Sequence, residues 1–217
     1  MHSSKYDCLI FDLDGTISDP KDGIVRSVNH ALNTHNFDPI DEQKICTLIG
    51  PPIDFLFSTL TESDDQNLIT SLIASYRERY SDIGFAENKL YPGIVDVLNT
   101  LNQHPTLTLG VCTSKRVDFA QRILDLFNLS ECFQFVDGGE VGMKKSFQLH
   151  RLLDKGLIRQ DSIMIGDREA DLIAANDNRL DCAGVLWGYG PIDELRQHNP
   201  NHIFYQPEEL LDLCKSE

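Results

Sequence analysis

Cys8-Leu9-Ile10-Phe11-Asp12-Leu13-Asp14-Gly15-Thr16 is a run of four apolar residues that breaks abruptly into two carboxylates, a glycine and a threonine. Such a run predicts a strand buried on both faces that delivers polar groups at its carboxyl end. The pattern recurs down the chain. Leu107 to Cys112 ends at Thr113-Ser114, Phe133 to Val136 ends at Asp137-Gly138-Gly139, and Ser162 to Ile165 ends at Gly166-Asp167. Two more strands are expected at Cys182 to Leu186 and His202 to Phe204. Helical patterns lie between them, at Gly93 to Asn102, Val117 to Phe127, Ser146 to Lys155 and Glu169 to Asp177. Alternating strands and helices predict an α/β fold with right-handed crossovers, a parallel sheet covered on both faces and ligands at the carboxyl ends of the strands.

One stretch breaks the rhythm. From about Asp19 to Asn88 the chain carries amphipathic helical runs (Ile24 to Thr34, Asp41 to Ile49, Ile53 to Leu60, Asp65 to Ile83) and no convincing strand. The expected organisation is a core of residues 1–18 and 87–217 with an inserted helical cap of residues 19–86.

Composition limits the partners. With 217 residues, 41% of them hydrophobic, the chain can bury a core. A net charge of −15 leaves no basic surplus to neutralise a nucleic-acid backbone, so a small metabolite is the better partner. If that metabolite is a phosphate ester, the site itself has to supply a local cation. The six cysteines show no paired metal or redox spacing and read as reduced thiols. Met1 to Tyr6 is polar and no window is long and apolar enough to span a bilayer, so the expectation is a cytoplasmic protein with no membrane partner. Oligomeric state is not legible.

Each polar strand end has a bland reading and a chemical one. Asp12 and Asp14 match a solvated Asp-x-Asp-Gly turn, yet two close carboxylates also suit a divalent cation, one serving as nucleophile and the other as general acid and base. Gly15 permits a backbone that other residues resist, and Thr16 can orient oxygens around the metal. Thr113-Ser114 is an ordinary helix cap or a place for phosphate oxygens at the start of the following helix. Asp167 and Asp171 lie four apart, one helical turn, so both can face a hard cation. Lys144 and Lys145 precede a helix and are either a surface pair or the fixed cation the site needs.

The ordered set Asp12-Leu13-Asp14-Gly15-Thr16, Thr113-Ser114, a lysine before a helix, and Gly166-Asp167-Arg168-Glu169-Ala170-Asp171 resembles that of the haloacid dehalogenase-like hydrolases. The resemblance implies a Rossmann-like three-layer core, an aspartyl-phosphate intermediate and bound Mg2+. It makes Asp12 nucleophile and metal ligand, and Asp14 acid and base with its backbone carbonyl on the metal. Thr113 and the Ser114 backbone would bind the phosphoryl group, Asp167 the metal directly, and Asp171 the metal through water. For the lysine, Lys145 fits better because Leu149, Leu152 and Leu153 then face inward, with Lys144 still open. Dehalogenating members lack the second aspartate, so Asp14 points to phosphate.

Ile49-Gly50-Pro51-Pro52, Leu90-Tyr91-Pro92-Gly93 and Cys112-Thr113-Ser114-Lys115 are similar to the phosphoglycolate phosphatase and bacterial 5'-nucleotidase-like group. This implies a phosphatase acting on a small phosphate ester, phosphoglycolate first, with nucleotides and sugar phosphates as alternatives. Gly50 and Pro51 are expected near the leaving group, with Lys115 as an added cation at the mouth. A non-enzymatic phospho-acceptor or metabolite-binding module is the rival of a different class.

Overall fold

The computed structural model describes residues 5–140 and 142–215; the remaining positions of the expected core, and most of the polar leader at residues 1–6, lie outside the described residues. The opening run folds as β1 (Cys8–Phe11), fully buried. A short strand, β2 (Ser18–Asp19), leads into four helices: α1 (Lys21–Thr34), α2 (Glu42–Cys46), α3 (Ile53–Thr61) and α4 (Gln66–Asp82). The chain returns through β3 (Lys89–Leu90) to α5 (Ile94–Asn102), β4 (Thr108–Thr113), α6 (Val117–Leu126), β5 (Phe135–Gly138), α7 (Lys145–Asp154) and β6 (Ser162–Gly166). It ends with α8 (Glu169–Asp177), β7 (Asp181–Val185), α9 (Ile192–Arg196), β8 (His202–Phe204) and a 3-10 stretch at Pro207–Cys214.

Six strands form one parallel sheet in the order β5-β4-β1-β6-β7-β8. The period-two alternation of strand side chains sorts the core into two slabs. Leu9 and Phe11 join Leu109, Val111, Ile163 and Ile165 against α5 and α6 on one face. Cys8 and Ile10 join Cys112, Met164 and Cys182 against α7, α8 and Leu195 of α9 on the other. The result is the expected three-layer α/β/α core of Rossmann type. The register Phe11↔Val111 and Phe11↔Ile165 brings the carboxyl ends of β1, β4 and β6 side by side, which is what gathers the polar strand ends into one place.

The four helices between β2 and β3 share a separate apolar cluster, including Val28, Ile45, Phe57, Leu72 and Tyr80, which Phe119 of α6 joins from the sheet side. Both ends of this insertion pass through an antiparallel ribbon, Ser18↔Leu90 and Asp19↔Lys89. The ribbon brackets the stretch read as strand-free, only Asp19 of its four residues falling within it. Two residues per strand are too few to show a period, and their pairing comes from closing the insertion.

Other boundaries shift for physical reasons. Strand β5 lies two residues later than its apolar run suggests, because its parallel register with β4 runs from Gly110↔Phe135 to Thr113↔Gly138. Helix α2 stops at Cys46 rather than Ile49, its exit tightened by Leu48 N–H to Ile45 O and Ile49 N–H to Cys46 O. No helix among the described residues is long and apolar enough to cross a membrane, and the cysteines are unpaired thiols.

Candidate active site

Asp12 follows β1 directly, its N–H donating to Ile165 O at 2.9 Å, and its Oδ1 accepts from Leu13 N–H at 2.7 Å. The chain then turns. Gly15 has φ +88°, and a Cβ there would run into the carboxylate of Asp167, so both the backbone conformation and the close approach require glycine. This turn parts the two carboxylates, which an extended strand would have aimed together. Asp12 faces Lys145, whereas Asp14 Oδ2 lies 2.7 Å from Lys115 Nζ.

Asp167 and Asp171 come from the end of β6, the strand beside β1, and from the helix that follows it. Asp167 sits just before α8 and accepts from Tyr189 N–H through Oδ2 at 2.8 Å. Asp171 lies in the first turn of α8, where Oδ2 accepts from Arg168 N–H at 3.1 Å and Oδ1 meets Lys145 Nζ. Ligand atoms of Asp12, Asp167 and Asp171 lie within 4.8 Å of one another, all three residues buried. The Asp14 side chain stands outside this trio.

Lys145, at the start of α7, is 6% exposed and bridges Asp12 at 3.1 Å and Asp171. Lys144 is exposed, so the geometry separates the two lysines. The separation follows from packing, since Leu149 and Leu152 are buried and hold the Lys145 face of α7 inward. Thr113 is buried at the end of β4, where its Oγ1 accepts from Lys115 N–H at 3.2 Å and its carbonyl accepts from Gln148 Nε2 at 3.1 Å. Helix α6 begins only at Val117, so Thr113 closes β4 and Ser114 lies in the loop that follows, rather than at the cap of the helix.

Burial lifts the carboxyls of Asp167 and Asp171 above the usual carboxylate range; neighbouring Asp171 and Asp12 add to the lift at Asp167, and Lys145 opposes it at Asp171. Burial also lifts Asp14, against the pull of Lys115. For Lys115 and Lys145 burial works downward and is outweighed by their carboxylate partners, which keep both ammonium groups charged. Four carboxylates thus face two ammonium groups in a buried cluster. With all four ionised, the excess of two negative charges fits one divalent cation, which makes Mg2+ an appropriate occupant of this donor set.

A cavity open to solvent adjoins the cluster and is lined from both sides: by Asp12, Asp14, Thr113, Ser114 and Lys115 from the sheet, and by Gly50, Pro51 and Tyr76 from the insertion. Lys115 is not a mouth cation, for its side chain is 8% exposed and paired with Asp14. Sequence reasoning missed Tyr76 and Tyr80, four apart on α4, and Phe119 of α6, since aromatic residues on a helix look the same whether they fill a core or wall a pocket. It also missed Arg168, whose guanidinium crosses to the carbonyls of Ile49 and Thr47 while Nε pairs with Glu194 at 2.9 Å.

The sequence model described as haloacid dehalogenase-like hydrolase matches residues 9–185. The chain belongs to the haloacid dehalogenase-like hydrolases. Within this family it is 37% identical to a 5'-nucleotidase of Pseudomonas aeruginosa, covering 98% of this chain and 97% of that protein. It is 36% identical to the tyrosine-protein kinase PtkA of Mycobacterium tuberculosis over 85% of this chain and 64% of that one. A phosphoglycolate phosphatase of Photobacterium profundum is 28% identical over 95% of both chains. The crystal structure of a predicted phosphatase from Clostridium acetobutylicum superposes with a TM-score of 0.89 at 33% identity, covering 95% of this chain and 97% of that one.

Proposed function

We propose that the chain, a phosphatase of the haloacid dehalogenase-like family, is a magnesium-dependent phosphomonoesterase that works through an aspartyl phosphate on Asp12. The buried cluster of four carboxylates and two ammonium groups beside the cavity supports this reading more than any other observation. The metal would be held by Asp12, Asp167, the Asp14 backbone carbonyl and, through water, Asp171; when bound it supplies positive charge beside the incoming dianion.

The chain's own groups do the rest. Thr113 and the backbone at Ser114 hold the phosphoryl oxygens, and Lys145 balances the charge of Asp12 as it approaches phosphorus. The new bond from an Asp12 oxygen to phosphorus forms as the bond to the leaving oxygen breaks, and that oxygen takes a proton from Asp14. In the second half Asp14 takes a proton from water, the water oxygen attacks phosphorus, and the bond to Asp12 breaks. Residues 19–86 act as a cap over the core of residues 1–18 and 87–217, excluding bulk water. The protein works in the cytoplasm on a free metabolite rather than on nucleic acid or membrane.

Phosphoglycolate and nucleoside monophosphates are the two leading substrates. The apolar stretch of the cavity wall, Ile24, Leu48, Ile53, Leu56 and Phe119, favours a nucleoside as leaving group, because glycolate is too small and too charged to use it. The test is a magnesium-dependent phosphate-release screen across phosphoglycolate, nucleoside monophosphates, sugar phosphates and pyrophosphate. The expected result is turnover with the highest kcat/KM on a nucleoside monophosphate. Preference for phosphoglycolate removes the nucleoside reading, and phosphate retained on the protein without turnover favours a phospho-acceptor instead.

A further inference from the structure

Lys115 belongs to the loop after β4, yet its ammonium group is shared with the insertion. It lies 2.7 Å from Asp14 Oδ2, donates to the hydroxyl of Tyr80 at 2.9 Å, and sits 4.7 Å from the centroid of that ring. Tyr80 is on α4, is 1% exposed and is locked in place. Its ring stacks on Tyr76 with centroids 5.2 Å apart, meets Phe119 edge-on at 5.2 Å, and its hydroxyl also receives Asn88 Nδ2 at 3.3 Å. An ammonium group on a four-carbon stem is a mobile point charge, so holding it in one place requires partners on several sides. Here one partner is a carboxylate of the reacting cluster and the other arrives from the inserted helices.

The consequence falls on Asp14. With Oδ2 engaged by Lys115, Oδ1 is buried and has no hydrogen-bond partner among the described residues. The two oxygens of this carboxyl are therefore unlike: one is anchored and the other is unpartnered among the described residues. Other contacts tie insertion to core, among them the Tyr189 hydroxyl on Asp19, Lys89 on Asp22, and two arginines that reach backbone carbonyls. The Arg168 guanidinium reaches Thr47 and Ile49, and Arg122 reaches the Ser81 carbonyl and lies over Phe85. They hold the insertion down without gripping a proton-transfer group.

We propose that Tyr80 is a positioning residue for proton transfer: through Lys115 it orients the Asp14 carboxyl so that Oδ1 serves the leaving oxygen only while α4 is docked on the core. The proposal rests on the reading of Asp14 as general acid and base. When the bond between phosphorus and the leaving oxygen breaks, that oxygen must accept a proton from Asp14 if it would otherwise depart as a strongly basic alkoxide. A nitrophenolate departs as a stable anion and needs the proton far less.

The test compares kcat/KM on β-glycerol phosphate and on p-nitrophenyl phosphate, with Mg2+, for the wild type, Tyr80→Phe, Lys115→Met and the double variant. Tyr80→Phe keeps the ring and its aromatic contacts and removes only the hydroxyl. The expected result is that the alkyl-to-nitrophenyl ratio falls about tenfold or more in each single variant, and no further in the double variant. Loss of both activities in equal proportion overturns the proposal, because it describes poorer closure rather than misplaced proton transfer. An unchanged ratio, or a double variant that falls by the product of the single effects, overturns it as well. A wild type that releases no phosphate from either ester overturns the phosphomonoesterase reading and this proposal with it.

Discussion

Lys145 sits where two carboxylates would otherwise repel each other in a buried space, 3.1 Å from Asp12 and in contact with Asp171. Replacing it with an apolar residue leaves a buried excess of negative charge, which costs about 3–5 kcal/mol when one partner of such a pair is removed. Lys145→Met is expected to lower the melting temperature and to cut phosphate release about 10²–10³-fold; release within a few-fold of wild type would contradict its role. Gly15 offers a second test at this scale. With φ +88° and the Asp167 carboxylate where a Cβ would stand, Gly15→Ala strains the turn and displaces Asp167. Calorimetry is expected to show both lower stability and loss of the Mg2+-induced rise in melting temperature; a retained rise would show that the turn does not position Asp167. The aspartates at 12, 14, 167 and 171 were legible because each ends an apolar run or opens a helix. Lys145 was legible from Leu149 and Leu152. The partner of Lys115 was not, since the pairing depends on β1 and β4 lying side by side, and one strand end does not show which other will stand beside it.

At the level of elements, β1 and β6 were readable because burial on both faces writes an unbroken apolar run, whereas β2 and β3 are too short to write anything. Helix α2 shows how a tertiary contact overrides a local pattern. Its apolar periodicity continues to Ile49, but the chain leaves the helix after Cys46 and presents the carbonyls of Thr47 and Ile49 to Arg168. Gly50 follows with φ +113°, and a Cβ there would crowd the Arg168 side chain at 2.8 Å. Arg168→Ala is therefore expected to release this loop. Amide hydrogen exchange over residues 47–52 should quicken and KM should rise more than kcat falls; unchanged exchange would show that the loop is held by other contacts.

Among the described residues, two apolar slabs flank the sheet and a third cluster fills the insertion, which a two-stranded ribbon closes, and the charged cluster borders the cavity lined from both sheet and insertion. That placement makes metal binding and stability one problem. Asp167 and Asp171 keep protons in the folded protein at pH values where the unfolded chain, with aspartate carboxyls near their ordinary 3.8, has released them. Metal-free stability from these groups is thus present at the acid end and declines as pH rises toward their folded pKa values. Mg2+ bound as proposed would displace those protons, so the rise in melting temperature that it produces should be small near about pH 5 and larger near about pH 7.5. An equal rise at both values would place the metal elsewhere. The most direct measurement is acid-quench mass spectrometry of the protein during turnover of a phosphomonoester with Mg2+. The account predicts a phosphoryl adduct on Asp12, absent in Asp12→Asn together with phosphate release. Wild-type turnover with no adduct at Asp12, or full release by Asp12→Asn, would contradict it.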